Sequence, residues 1–192
     1  MGTAPIPTPS ANTRGSHAGP TAGPDAGGKP ADANAPLQGK TAVFEAMVEN
    51  SAVKVLAALA TDAKFNRGEL TITVAKANIV AACQAVQAAG YTFFEDVTAV
   101  DWYPQEPRFQ LSYHILSMRQ KQRLRLTVQI NSADLSVDSI TSVWPSANFY
   151  EREVFDLFGI DFPGHPRLTR IMMPDNWEGH PLRKDYPVEG YR

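Results

Sequence analysis

Apolar positions with a regular period begin abruptly near residue 40. Phe44, Met47, Val48, Val55, Leu56 and Leu59 recur at helical intervals, which predicts a helix over about 42–60. Leu70, Ile72 and Val74 alternate with Glu69, Thr71 and Thr73, the period of a half-buried strand. Asn78 is a candidate N-cap, Ile79, Val80, Cys83 and Val86 line one apolar face, and Gly90 stands where that helix would stop. Three strands are predicted next, over 91–101, 109–118 and 123–130, the first two separated by a turn at Pro104 and Pro107. In the third, Leu124, Leu126, Val128 and Ile130 oppose Arg123, Arg125, Thr127 and Gln129. A shorter strand is expected near 137–143. A last helix is expected over 148–158, with Asn148 and Glu151 at capping-box spacing and Gly159 as its stop. This order predicts an α+β domain over 41–160: two layers, a mostly antiparallel sheet with flanking helices.

Both ends lack such periods. Residues 1–40 hold seven of the fifteen prolines and no aromatic residue, so they are expected to form a disordered Ala/Pro/Gly-rich tail. Residues 161–192 are broken by Pro163, Pro166, Pro174, Pro181 and Pro187, which forbid long regular elements and predict an extended, irregular C-terminal arm. The arm nevertheless carries Phe162, Leu168, Ile171, Met172, Met173, Trp177, Leu182, Tyr186 and Tyr191. A segment so apolar must lie over its own domain or across another protein. Docking is favoured, because prolines reduce the entropy lost on binding and Trp, Tyr and Arg concentrate at interface hot spots.

The near-even balance of 18 basic and 20 acidic residues gives no reason to expect nucleic acid as a partner. Cys83 is the single cysteine, which excludes an internal disulfide and argues against an iron–sulfur cluster; on its apolar face it reads as inert core. His17, His114, His165 and His180 lack the paired spacing of a zinc site. The run Gly23 to Lys29 approaches a phosphate loop, but Pro30 replaces the needed hydroxyl. No stretch reaches the roughly 18–20 apolar residues of a membrane span, so no direct membrane insertion is expected.

On the last predicted helix, Tyr150, Val154, Leu157 and Phe158 form a core face, with Arg152, Glu153 and Asp156 roughly opposite. By spacing alone Arg152 and Asp156 read as a weak i,i+4 pair on a solvated face, although crowding Glu153 and Asp156 would suit a cation opposite. In the arm, Arg167, Arg170, Arg183 and Lys184 alternate with Asp175, Glu178 and Asp185, as expected of a polar interface rim.

The strings Glu151-Arg152-Glu153, Asp156-Leu157-Phe158-Gly159-Ile160, Gly164-His165-Pro166, Arg170-Ile171, Pro174-Asp175 and the run from Trp177 to Pro187 resemble, at fixed spacing, the signature of the thirty-kilodalton subunit family of respiratory complex I. Thr169 departs from the basic pair often found before the isoleucine. The resemblance implies a non-catalytic assembly subunit of the peripheral arm of the proton-pumping NADH:quinone oxidoreductase, with no cofactor, no metal and no catalytic residue of its own. It implies as partners the larger subunit that shapes the quinone cavity, along which the arm would lie, and other peripheral-arm subunits. Arg152, Glu153, Asp156, His165, Arg170 and Asp175 would serve partner binding, as would Trp177, Glu178, Arg183, Lys184, Asp185 and Tyr186. The chain would sit peripherally on the cytoplasmic side of a bacterial-type cell membrane. An equivalent subunit of a membrane-bound hydrogenase or another complex I-like dehydrogenase is the alternative. A free-standing enzyme using His165, Asp175 and Glu178 as acid–base groups is disfavoured, since nothing marks an activating arrangement.

Overall fold

Residues 37–189 are described by the computed structural model. Pro36 and everything before it in the expected tail lie outside them, as does Tyr191. Leu37–Gln38, within the stretch expected as tail, form strand β1. The single helix expected over 42–60 is two short ones, α1 (Lys40–Ala46) and α2 (Ser51–Leu56). Asn50 breaks them apart by capping the second: its side chain accepts from Ala52 N at 2.9 Å and Val53 N at 3.3 Å. The expected helix also runs too far, because β2 (Ala60–Asn66) starts at its last position. This strand has a bulge between Ala60 and Asp62 and buries only Ala60 and Ala63, so it shows little alternation of large apolar groups. Arg67 (φ 52°) and Gly68 (φ 81°) form its two-residue hairpin to β3 (Glu69–Val74), where positive φ at both positions matches strand twist.

A short 3-10 turn, Lys76–Asn78, leads into α3 (Ile79–Ala88); the expected Asn78 side-chain cap is not formed. Strands β4 (Phe93–Asp101), β5 (Phe109–Ser117) and β6 (Gln122–Ile130) follow close to expectation. The sheet order is β1-β2-β3-β6-β5-β4, antiparallel at every pairing except β3 with β6. Alternate residues of the central strands, among them Ile72, Leu126 and Tyr113, form one core with Ile79, Cys83 and Val86 of α3. Cys83 is fully buried, and burial pushes its thiol well above the ordinary range, so it stays protonated.

The opposite sheet face is mostly polar, with Phe93 and Val100 as exposed apolar exceptions on β4. Across β4, β5, β6 and β3 runs the chain Asp96–His114–Arg125–Glu69, with contacts of 2.5, 2.9 and 2.8 Å. Arg125 donates to His114 Nε2, so Nδ1 carries the proton given to Asp96.

The strand expected near 137–143 is not formed. Instead 135–139 runs beside 161–163, with Asp161 N donating to Leu135 O at 2.8 Å and Ser139 N to Pro163 O at 2.8 Å. The final helix, α4 (Ala147–Phe158), packs against β4 and sends Val154 and Phe158 into the core. Its N-cap is Ser146, and no Asn148 side-chain cap or capping box forms, because Glu151 turns inward. Gly159 ends it in the left-handed conformation, φ 73°.

Candidate functional site: an arm clasped by the last helix

Asp156 lies on the α4 face expected to meet solvent, yet its side chain is fully buried. The weak surface pair expected with Arg152 does not form, and the carboxylate serves a different group. One oxygen, Oδ2, accepts three successive backbone N–H groups: Ile171 at 2.9 Å, Met172 at 2.7 Å and Met173 at 2.8 Å. The other, Oδ1, receives Arg170 Nη1 at 2.6 Å. Consecutive amides converging on one oxygen form an anion nest. A negative charge in the last turn of a helix is otherwise unfavourable. Burial by itself would raise this carboxyl, but the three amides and the guanidinium outweigh it and hold it below the usual value.

The rest of the clasp surrounds that carboxylate. Arg170 also reaches Gly179 O at 3.1 Å. Among the described residues Arg152 pairs with no acid; its Nε and Nη2 donate to the carbonyls of Thr169 and Arg170, at 3.0 and 2.9 Å. His180 Nδ1 donates to Asp156 O at 2.9 Å, and Leu182 N to Leu157 O at 3.1 Å. Gly159 opens the space for the imidazole, since a Cβ there would sit 2.6 Å from the His180 ring.

Two further anchors bind the arm, and one has no signal in the local sequence. Arg108 is bidentate to Asp101 at 2.9 and 2.8 Å, with both side chains buried, and also grips Asp185 at 2.9 and 2.8 Å. Its guanidinium lies over both the Tyr103 and the Phe109 ring, 4.9 and 4.8 Å from their centroids. The Asp101 carboxylate also takes Lys184 N at 2.8 Å. Arg108, first, holds Asp101 far below the usual carboxylate range, and Asp185 is lowered by the same partner. In α4, beside the arm residue His165, Glu151 is fully buried and accepts from the preceding loop, Ser139 Oγ at 2.6 Å and Ile140 N at 2.8 Å. Burial outweighs those bonds and pushes its carboxyl up to about 7. The buried His165 ring lies 4.0 Å away. It accepts Arg167 N at Nδ1 and donates from Nε2 to Asn148 O at 3.2 Å, which makes it the neutral imidazole.

The expected partner-facing residues thus divide. Arg152, Asp156, His165, Arg170 and Asp185 bond within the chain; Arg183 lies over Phe109 at 5.5 Å. Tyr186 is half-buried, in a turn through its N–H to Arg183 O at 3.0 Å. Glu153, Asp175, Trp177, Glu178 and Lys184 are exposed. The apolar groups divide likewise: Phe162 is buried and Leu168 packs on the core, while Met172, Trp177 and Leu182 remain 61%, 40% and 53% exposed. Self-packing and outward presentation coexist along one arm.

These features define an α+β body carrying an ordered strap, part of it packed on the body and part exposed. The chain belongs to the family described as respiratory-chain NADH dehydrogenase, 30 Kd subunit, whose profile matches residues 72–192. The C subunit of the NADH-quinone oxidoreductase of Citrifermentans bemidjiense is 50% identical over 125 residues, covering 65% of this chain and 78% of that one. The C/D subunit of the NADH-quinone oxidoreductase of Pseudomonas fluorescens is 56% identical over 85 residues, 44% of this chain but 14% of that one. In fold the chain resembles one solved within the membrane-bound sulfane sulfur reductase, an archaeal respiratory membrane complex. That match has a TM-score of 0.64 at 24% identity, over 75% of this chain and 85% of that one.

Proposed function

We propose that this chain is a non-catalytic assembly subunit of the peripheral arm of a proton-pumping NADH:quinone oxidoreductase, and that its strap holds a larger catalytic neighbour in place. One observation carries the docking role: Trp177, Met172 and Leu182 stay exposed on a segment already fastened to the body by buried charges. An ordered strap loses little further conformational entropy when a partner covers it. The larger neighbour is supported by the Pseudomonas relative, a single chain whose name joins the letters C and D. Attachment to the cytoplasmic side of the membrane would run through that neighbour; no helix among the described residues is long and apolar enough to cross a bilayer. A scaffold of this kind can govern turnover without touching substrate, because a displacement of about 1 Å at a catalytic centre can cost about a hundredfold in rate.

The test is affinity isolation of the tagged native chain with identification of its companions, alongside the variant Trp177→Ala. The expected companions include a quinone-cavity subunit, whose yield the variant lowers. Companions from a hydrogenase would transfer the chain to that assembly, and undiminished yield would remove the strap from the interface. Deleting the arm is a poorer test, because it strips the buried Asp156 of Arg170 and three amides and takes Asp185 from Arg108.

A further inference from the structure

The turn between β4 and β5 presents Trp102 and Tyr103 side by side, 44% and 50% exposed. The backbone beneath them is fixed. Trp102 N donates to Arg108 O at 2.7 Å, Gln105 N to Trp102 O at 2.9 Å, and Tyr103 N to the Asp101 carboxylate at 2.9 Å. Arg108 N donates to Glu106 at 3.0 Å, and the Arg108 guanidinium lies over the Tyr103 ring. Two adjacent aromatics held in water by a loop that cannot fold them away mark a contact surface.

The turn is also welded to the strap. A single guanidinium spans from Asp101 at the end of β4 to Asp185 in the arm, with bonds of 2.8 Å on both sides. Leu182 and Val188, close in sequence to Asp185, are exposed as well. A specific interface covers roughly 800 Å² on each partner, far wider than one guanidinium. The turn and this part of the arm therefore lie within the span of one such interface.

We infer that the turn at 102–107 is a second docking element, seated against the same larger subunit as the arm. That subunit presents an apolar slot whose rim offers a hydrogen-bond acceptor to the Trp102 indole N–H. The inference rests on reading the arm as a docking strap, and the experiment separates the two. A photoreactive side chain is placed at position 102, and separately at position 177, in the chain within its intact membrane-extracted complex; the cross-linked subunit is identified by mass spectrometry. Both positions are expected to label one and the same subunit. Labelling from 177 alone, or of different subunits, overturns the inference and leaves the strap standing; no labelling from either removes both. Trp102→Ala, which keeps every backbone bond of the turn, should lower partner retention in a salt wash at least threefold without moving the melting temperature of the isolated chain. Unchanged retention would count against the slot.

Discussion

His180 occupies the space that any side chain on Gly159 would need: a Cβ there would stand 2.6 Å from the imidazole. Gly159 also holds φ 73°, a conformation costing a non-glycine residue about 1–2 kcal/mol. Gly159→Ala should therefore destabilise the chain by more than the backbone cost alone, by displacing His180 from the Asp156 carbonyl. Thermal unfolding of Gly159→Ala, His180→Ala and the double variant checks this. If the two residues are coupled, the losses are less than additive.

Asp156→Ala would leave three amides and Arg170 without their acceptor. The expected cost is about 3 kcal/mol or more, since removing one member of a buried charged pair typically costs about 3–5 kcal/mol. Urea denaturation measures it, and amide exchange at 171–173 should accelerate in parallel. The pH dependence follows from its direction of shift: a lowered carboxyl stabilises above its unfolded value, and that contribution fades as pH falls through the folded one. Acid unfolding of Asp156→Asn should lack this loss.

Glu151 has the opposite sign. Its folded carboxyl titrates near 7, above the ordinary 4.5, so the native state holds the proton more tightly. Its stabilising share is complete below pH 4.5 and disappears as pH rises to about 7, a decline of about 3 kcal/mol at about 1.4 kcal/mol per unit. Glu151→Gln should flatten the stability profile over that window. Denaturation midpoints at pH 5 and pH 7.5 decide it; an unchanged slope would assign the titration elsewhere.

Arg108→Ala should cost about 3–5 kcal/mol, because Asp101 would remain buried and unpaired. Asp185→Asn should cost much less, because its side chain is 43% exposed, but should free the arm's end. Limited proteolysis near residue 185 separates the two effects, since only the second variant is expected to be cleaved there while the body stays fully folded.

Much of the body was legible because one sheet face is buried: strict alternation such as that of Leu124, Leu126, Val128 and Ile130 survives only where apolar side chains share a side. Strand β2 escaped because Ala60 and Ala63 are small and its bulge shifts the phase; the Asn66-Arg67-Gly68 turn was the available signal. Asn50-Ser51 offered the cap that divides the first helix. The strand expected near 137–143 failed because its neighbour there is the irregular start of the arm.

For the site, residue resemblance marked Asp156 and Arg170, whereas spacing paired Asp156 with the wrong arginine. The true partner lies 14 residues on, across a non-periodic segment whose path no local rule supplies. Asp101 and Arg108 carry no local signal for a related reason. Arg108 stands just before the strand expected over 109–118, and its bond to the arm closes a gap of 77 residues.

The grip on residues 171–173 uses main-chain hydrogens only. Any amino acid other than proline can supply them, so the anchor is indifferent to the side chains it holds. The side chains of Ile171 and Met172, which are exposed, are thereby free to vary without loosening the anchor. Main-chain attachment and side-chain identity are thus separable at Ile171 and Met172.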